Sequence, residues 1–325
     1  MNVLRIAADV LSLPYRMGFE TWKFLALRRK RPHIPAYTIT VGNLTIGGSG
    51  KSPFVIELGR ELMERGIKFA VLSRGYRRKS KGLQTVAPNS TVDPMIVGDE
   101  PALIFRKLGG KVPVIADRDR LRGGRYAVEQ FDVEAVILDD GFQYLRILHD
   151  YLILLVNVED LNGGPLLPFG RFREPLSAMK RADLIVINYR DREFDDREFN
   201  FGITPYIRMR YEIKVPVPPK TRAFVFAGIA RPSEFLNMLR KSGVEVVGHK
   251  FFMDHKWYSD KDISKILKKA RDKGADVVLT TEKDFIRLKS APDMIKPVEL
   301  ETHIERIDHI ASILASKIVS FRRIS

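Results

Sequence analysis

The run Thr45-Ile46-Gly47-Gly48-Ser49-Gly50-Lys51-Ser52 contains the residue types that handle phosphate. Gly47, Gly48 and Gly50 can take backbone angles that turn successive N–H groups inward as an anion nest. Lys51 supplies a cation able to reach β- and γ-phosphates, and the Ser52 hydroxyl can ligate Mg²⁺. A strand-like run, Tyr37-Thr38-Ile39-Thr40-Val41, precedes the glycines, and a helix-like one, Pro53-Phe54-Val55-Ile56-Glu57-Leu58, follows them. Strand, glycine-rich turn and helix in that order is the context of a phosphate loop, with the helix adding its positive end. Thr45 stands where the usual spacing has Gly. The alternative is a glycine-rich connector with a chance Gly-Lys-Ser, and the flanks favour the loop.

A second group is carboxylate. Ala135-Val136-Ile137-Leu138 runs into Asp139-Asp140, an apolar strand ending where an Asp can hold Mg²⁺ directly or through water. Asp99, in Gly98-Asp99-Glu100-Pro101, suits a helix N-cap but equally suits a carboxylate that accepts a proton from an attacking hydroxyl. His255 lies in Asp254-His255-Lys256-Trp257-Tyr258, and Thr281-Glu282-Lys283-Asp284 follows a strand-like run, where ligand-binding loops of α/β sheets gather. Arg74, Arg77, Arg78, Lys79, Arg118, Arg120 and Arg125 either line a phosphate-accepting cleft or are solvated, and spacing does not decide. With no Cys and six His lacking an H-x-x-x-H or H-E-x-x-H pair, a zinc-type cluster is not expected.

The elements that must position these groups alternate short apolar strands and helices through the first two-thirds of the chain. Strands are expected at Phe69-Ala70-Val71-Leu72, Val112 to Ala116, Leu152 to Val156 and Leu184 to Asn188, giving a mostly parallel sheet covered on both faces. A smaller α/β unit follows, with strands at Ala223 to Ala227, Val244 to Val247 and Val277 to Thr280. Two alternating stretches, Tyr206 to Ile213 and Val298 to Glu305, read as half-exposed strands. Their antiparallel pairing would join the units by a two-stranded linker, with Arg208 and Arg210 near Glu299 and Glu301. The expected division is a basic arm (1–35), a phosphate-loop domain (36–203), a smaller α/β domain with the linker strands (204–300), and a C-terminal helix packing back on the first domain (301–325).

At 325 residues the chain can bury two cores, and the lack of cysteine fits a reducing compartment. A formal charge of +15 draws the protein toward polyanions: nucleic acid, anionic lipid or a phosphorylated substrate. The first 35 residues carry apolar stripes, Val3 to Leu11 and then Tyr15, Phe19, Trp22 and Leu25, closed by Arg28-Arg29-Lys30-Arg31. Neither stripe approaches the ~20 residues of a spanning helix, and no small-residue cleavage site marks a removed signal. A helix lying in a membrane interface and a helix packed on its own domain both fit.

The motifs together resemble the tetraacyldisaccharide 4′-kinases of lipid A biosynthesis. The resemblance rests on Val41-Gly42-Asn43-Leu44-Thr45 with Gly47 to Pro53, Leu72-Ser73-Arg74-Gly75-Tyr76, Gly98 to Pro101, Asp119-Arg120, Leu138 to Gln143, Arg173-Glu174-Pro175, Asp254-His255 and Thr281 to Asp284. They run in family order along most of the chain, and Thr45 is itself the family's habit. The resemblance implies a P-loop fold and transfer of the γ-phosphate of ATP to the 4′-hydroxyl of a tetraacylated glucosamine disaccharide 1-phosphate. It implies Mg²⁺, peripheral work at the cytoplasmic face of the inner membrane, and an Asp99–His255 pair acting on the acceptor hydroxyl beside Lys51. Nucleotide contacts would come from Thr45 to Ser52 with Thr281 and Glu282, and metal contacts from Ser52, Asp139 and Asp140. Acceptor contacts would come from Arg74, Arg77, Arg120, Gln143, Arg173 and Glu174. Tyr144 (usually His) and Phe169-Gly170-Arg171-Phe172 (usually Ala-Gly-Pro-Leu) depart from the pattern on the acceptor side.

Two other classes compete. A partner-activated P-loop ATPase of the partitioning type would carry an extra Lys early in the loop, where this chain has Thr45 and Ile46. A nucleic-acid-binding NTPase would fit the charge, but no nucleic-acid motif stands out and no such partner is expected.

Overall fold

A computed structural model describes residues 13–190 and 203–323. One twelve-stranded sheet runs through the molecule, in the order β10-β9-β11-β12-β8-β7-β6-β1-β5-β2-β4-β3. The large unit holds β1 (Tyr37–Asn43), β2 (Phe69–Ser73), β3 (Gln84–Val86), β4 (Val114–Ala116), β5 (Ala135–Asp139), β6 (Tyr151–Asn157) and β7 (Leu184–Arg190). The small unit holds β9 (Arg222–Ala227), β10 (Glu245–Phe251) and β11 (Val277–Thr281). Between them lie β8 (Tyr206–Lys214) and β12 (Ile295–Ile304). Within each unit the pairing is parallel, apart from β3 against β4. The central strands are buried on both faces, as their unbroken Val/Ile/Leu runs require. The short edge strand β3 carried no clear sequence pattern, and β10 runs through Gly248 to Phe251, past the expected stop at Val247.

β8 continues the large sheet in parallel with β7, β12 continues the small sheet in parallel with β11, and the two pair antiparallel. This junction turns the carboxyl ends of the two parallel blocks toward one another, and those ends are where α/β sheets place ligands. The charges on the ribbon are arranged otherwise than the alternation predicts. The register sets Arg210 opposite His303 and Glu301 opposite Glu212. Arg208 reaches Glu305 at 3.8 Å and Arg210 reaches Glu212 at 3.7 Å, while Glu299 lies 3.6 Å from Lys107 of the large unit. The register sets Met209 opposite Ile304, Tyr211 opposite Thr302 and Ile213 opposite Leu300, so the apolar faces meet; exposed ion pairs contribute only a few tenths of a kcal/mol, too little to choose the register.

The helices are α1 (Leu13–Arg28), α2 (Lys51–Glu64), α3 (Pro94–Val97), α4 (Asp99–Lys107), α5 (Arg120–Phe131), α6 (Pro232–Lys241), α7 (Asp260–Asp272), α8 (Glu282–Phe285) and α9 (Ile307–Arg322). β12 extends to Ile304, so a boundary at residue 301 would cut a strand. Ile310, Ala311, Leu314 and Ile318 of α9 share a core with Phe54, Leu58 and Leu62 of α2 in the large unit. In α1, Tyr15 packs toward the large unit, while Met17, Phe24, Leu25 and Leu27 are exposed. The stripe from Val3 to Leu11 and the Trp22 side chain lie outside the described residues. No helix among the described residues is long and apolar enough to cross a membrane.

Candidate active site

The glycine-rich loop joins β1 to α2. Gly50 caps α2 with φ +91°, and a Cβ there would lie 1.8 Å from the Tyr211 hydroxyl and 2.6 Å from Met209 Cε. Glycine is therefore demanded twice, by backbone angle and by the approach of β8. The loop is braced from outside. Asn188 Nδ2 donates to the Ser49 carbonyl at 3.1 Å, and Arg190 Nη2 donates to the Gly48 carbonyl at 2.8 Å. The Ile46 amide donates to the Arg171 carbonyl at 2.8 Å, and the Thr45 hydroxyl to Asp160 Oδ2 at 3.2 Å. Thr45 is thus a buried prop, leaving the glycines, Ile46 and the α2 N-terminus to face the cleft.

Lys51 Nζ donates to Asn43 Oδ1 at 3.1 Å and lies 3.4 Å from Asp140 Oδ1. Arg173 Nη1 binds both Asp140 oxygens, at 3.1 and 3.2 Å. Burial pushes the Asp140 carboxyl up, but Lys51 and Arg173 outweigh it and hold the group well below the usual range. Its neighbour has the opposite environment. Asp139 is 1% exposed, and its Oδ1 has no hydrogen-bond partner among the described residues. Burial, then the nearby Glu100 charge, push its pKa up to about 7 against the pull of Lys51. Ser52 is buried beside these groups at the start of α2.

Asp99 does not cap its helix; Gly98 holds that position. Instead Asp99 Oδ2 meets His255 Nδ1 at 2.8 Å and accepts from Arg287 Nε at 2.7 Å, while Oδ1 accepts from the Glu100 amide at 2.9 Å. Burial raises this carboxyl, yet the His255 hydrogen bond and the Arg287 charge together hold it well below the usual range. Asp99 belongs to the large unit, and His255 and Arg287 to the small one. Alongside, Lys283 Nζ pairs with Glu100 at 2.5 Å, which lowers the Glu100 carboxyl.

A single cleft of about 1580 Å³ is lined by the loop, Lys51, Asp139, Asp140, Glu100, His255, Lys283 and Glu282. The candidate acceptor-side residues divide. Arg74, Arg77, Gln143 and Arg173 line this cleft, Arg77 donating to the Asp254 carbonyl at 2.6 Å. Arg120 and Glu174 do not line it. Arg120 is buried, donates to the Asp117 carbonyl at 2.5 Å and lies over the Tyr144 ring. Glu174, fully buried, binds Arg181 at 2.6 Å and accepts from Gln143 at 3.2 Å, so it fixes Gln143 from behind. Thr281 caps α8 and donates to Asp284 at 2.7 Å, and Glu282 accepts from the Leu300 amide at 3.1 Å. Both line the cleft with these bonds already made. The sequence reading did not select Asn43, Asn188, Arg190 or Arg287. Asn43 lies within the Val41 to Thr45 motif and Arg287 just beyond Thr281 to Asp284, whereas Asn188 and Arg190 end a strand with no local signature. Four cleft residues, Arg77, Asp140, Arg190 and His255, take positive φ without being glycine, a strain that clusters at functional sites and leaves no sequence trace.

The family model described as tetraacyldisaccharide-1-P 4′-kinase matches residues 4–318. The chain belongs to the tetraacyldisaccharide 4′-kinase family. Curated members include one from Pelodictyon phaeoclathratiforme, 35% identical over 91% of this chain and 90% of its own, and one from Geobacter sulfurreducens, 36% identical over 90% and 88%. Among solved structures, the LpxK of Aquifex aeolicus in complex with ATP superposes with a TM-score of 0.80 at 32% identity, covering 97% of this chain and 99% of that one. In this member of the family, therefore, the glycine-rich loop and the twelve-stranded sheet sit on a P-loop NTPase-like architecture.

Proposed function

We propose that this chain transfers the γ-phosphate of ATP to the 4′-hydroxyl of a tetraacyldisaccharide 1-phosphate. The observation that carries the reading is the convergence of two sets of groups on one cleft. The large unit brings the phosphate loop with Lys51 and Asp139, and the small unit brings His255 to Asp99. The loop amides and Lys51 bind and orient the phosphates and stabilise charge as it shifts toward the leaving oxygen. The Asp99–His255 pair takes the hydroxyl proton, with His255 the member that lines the cleft.

The residues fit Mg²⁺. A buried carboxylate oxygen without a partner, at Asp139, lies near Lys51 and Ser52, while no group of three His, Asp or Glu among the described residues could hold an ion unaided. Ser52 and Asp139, with Asp140 alongside, would hold the ion, and phosphate oxygens would complete its ligands. When bound, the ion supplies charge neutralisation on the β- and γ-oxygens.

The acceptor is a lipid, and α1 supports work at a membrane surface. Tyr15 and Phe19 line the cleft, Met17, Phe24, Leu25 and Leu27 are exposed, and Arg28, Arg29 and Lys30 follow, also exposed. γ-Labelled ATP offered with the disaccharide lipid, with a soluble disaccharide phosphate or with DNA tests the reading. Label appearing on the soluble sugar as readily as on the lipid, or on neither, would overturn it. Replacing Phe24 and Leu25 by Ser should reduce sedimentation with anionic vesicles, and unchanged sedimentation would remove α1 from the membrane contact.

A further inference from the structure

Arg287 is 2% exposed, and its guanidinium is held from two sides. On the small-unit side Nη1 donates to the Gly228 carbonyl at 2.8 Å and to Asp284 Oδ1 at 3.1 Å. Asp284, itself fully buried, is fixed in turn by the Tyr258 hydroxyl at 2.6 Å, the Gly228 amide at 3.0 Å and the Thr281 hydroxyl at 2.7 Å. From that frame Nε donates across the unit boundary to Asp99 Oδ2 at 2.7 Å, and Nη2 lies in ion-pair contact with the same oxygen at 2.5 Å. The same oxygen meets His255 Nδ1.

Resting on the phosphotransfer reading above, we propose that Arg287 is a positioning residue for that reaction: a strut from the small unit that orients Asp99 and keeps it anionic, so that His255 is held with Nδ1–H toward Asp99 and Nε2 toward the cleft. A carboxylate already paired with a buried cation accepts a hydrogen bond from His255 and does not donate one, which fixes the imidazole tautomer. Arg287 itself does not line the cleft, so it acts through Asp99. Lys283, paired with Glu100, is the other cationic side chain acting on Asp99; among the described residues, Arg287 and His255 are the side chains that contact its carboxylate. Because both contacts come from the small unit, the pair is assembled only when the two units are apposed.

The test compares Arg287→Lys and Arg287→Gln in the full chain, in the wild-type and Asp99→Asn backgrounds, with wild-type transfer to the lipid as the control that the underlying activity exists. In the wild-type background, kcat should fall roughly 30- to 1000-fold with KM for ATP within about threefold, Lys retaining more than Gln. In the Asp99→Asn background the same changes should shift kcat by less than about threefold, because members of one unit are non-additive. Equal losses in both backgrounds, or kcat of Arg287→Gln within about twofold of wild type, would overturn the assignment. A measurement on the unaltered protein guards against variants that do not fold. With a non-hydrolysable ATP analogue bound, ¹⁵N-histidine NMR should show the His255 ring protonated at Nδ1, and the Nε2–H tautomer would count against the proposal.

Discussion

Two acidic pairs face the same cleft, Asp99-Glu100 at the start of α4 and Asp139-Asp140 at the end of β5. In each, one carboxylate is almost fully buried, and there the likeness stops. Asp99 Oδ2 is met by groups that the other unit of the protein delivers, and the carboxyl is held below its ordinary pKa despite burial. Asp139 is given no donor for Oδ1 by its own unit, and burial moves its pKa to about 7. The first is a group whose counter-charge is built into the chain. The second is a group suited to a counter-charge that arrives with a ligand. Burial alone therefore does not set the charge of a carboxylate, and the origin of the compensating cation does.

The comparison breaks most sharply at the phosphate loop. Lys51→Ala should lower kcat about 1000-fold or more with the fold intact by circular dichroism, since it removes the cation nearest the transferring group. Turnover near wild type would exclude this loop from the reaction. Next in size are Asp99→Ala and His255→Ala. Each should cost about 100-fold in kcat, and the double variant little more than either, if the two act as one unit. Fully multiplicative losses would separate them. A smaller effect is expected from joining the ribbon. Cysteines replacing Glu212 and Glu301, opposite one another in register, should cross-link in this cysteine-free chain and slow turnover roughly tenfold without loss of ATP binding. Failure to slow turnover would show that the units need not move.

The smallest expected effect is on stability, and its sign differs between the two carboxylates. Asp99 has a folded pKa below its ordinary 3.8, so its contribution is present above that value and is lost as pH falls through the folded pKa. Asp139 has a folded pKa raised from 3.8 to about 7, so without ligand its contribution declines as pH rises between those values. Asp139→Asn should therefore raise the melting temperature of the ligand-free protein at pH 8 relative to pH 5, by an amount equivalent to about 1–3 kcal/mol. A pH-independent change would mean that Asp139 is not strained by its charge.

The large unit was legible because its chemistry is local. Lys51 and Ser52 are consecutive, Asp139 ends an apolar strand, and buried parallel strands read as continuous apolar runs. The antiparallel ribbon was also readable, from the alternation in 206–213 and 298–305. Its ion pairs were not, because the apolar faces that pair Met209 with Ile304 and Ile213 with Leu300 outweigh exposed charges, which adjust to them. Arg120 and Glu174 seemed acceptor contacts from their motifs, yet both are buried against Asp117 and Arg181, a distinction that only packing reveals. Arg287 escaped notice because its partner lies 188 residues away in sequence.

The pairing of β8 with β12 has a consequence for how this protein can be divided. Neither unit possesses a finished sheet: separated, the large one would display β8 and the small one β12 as bare edges of nine and ten residues. Edges of that length are templates for adventitious pairing. Either half produced alone is expected to self-associate on a sizing column, and exchange of units between relatives should succeed only when both ribbon strands travel together.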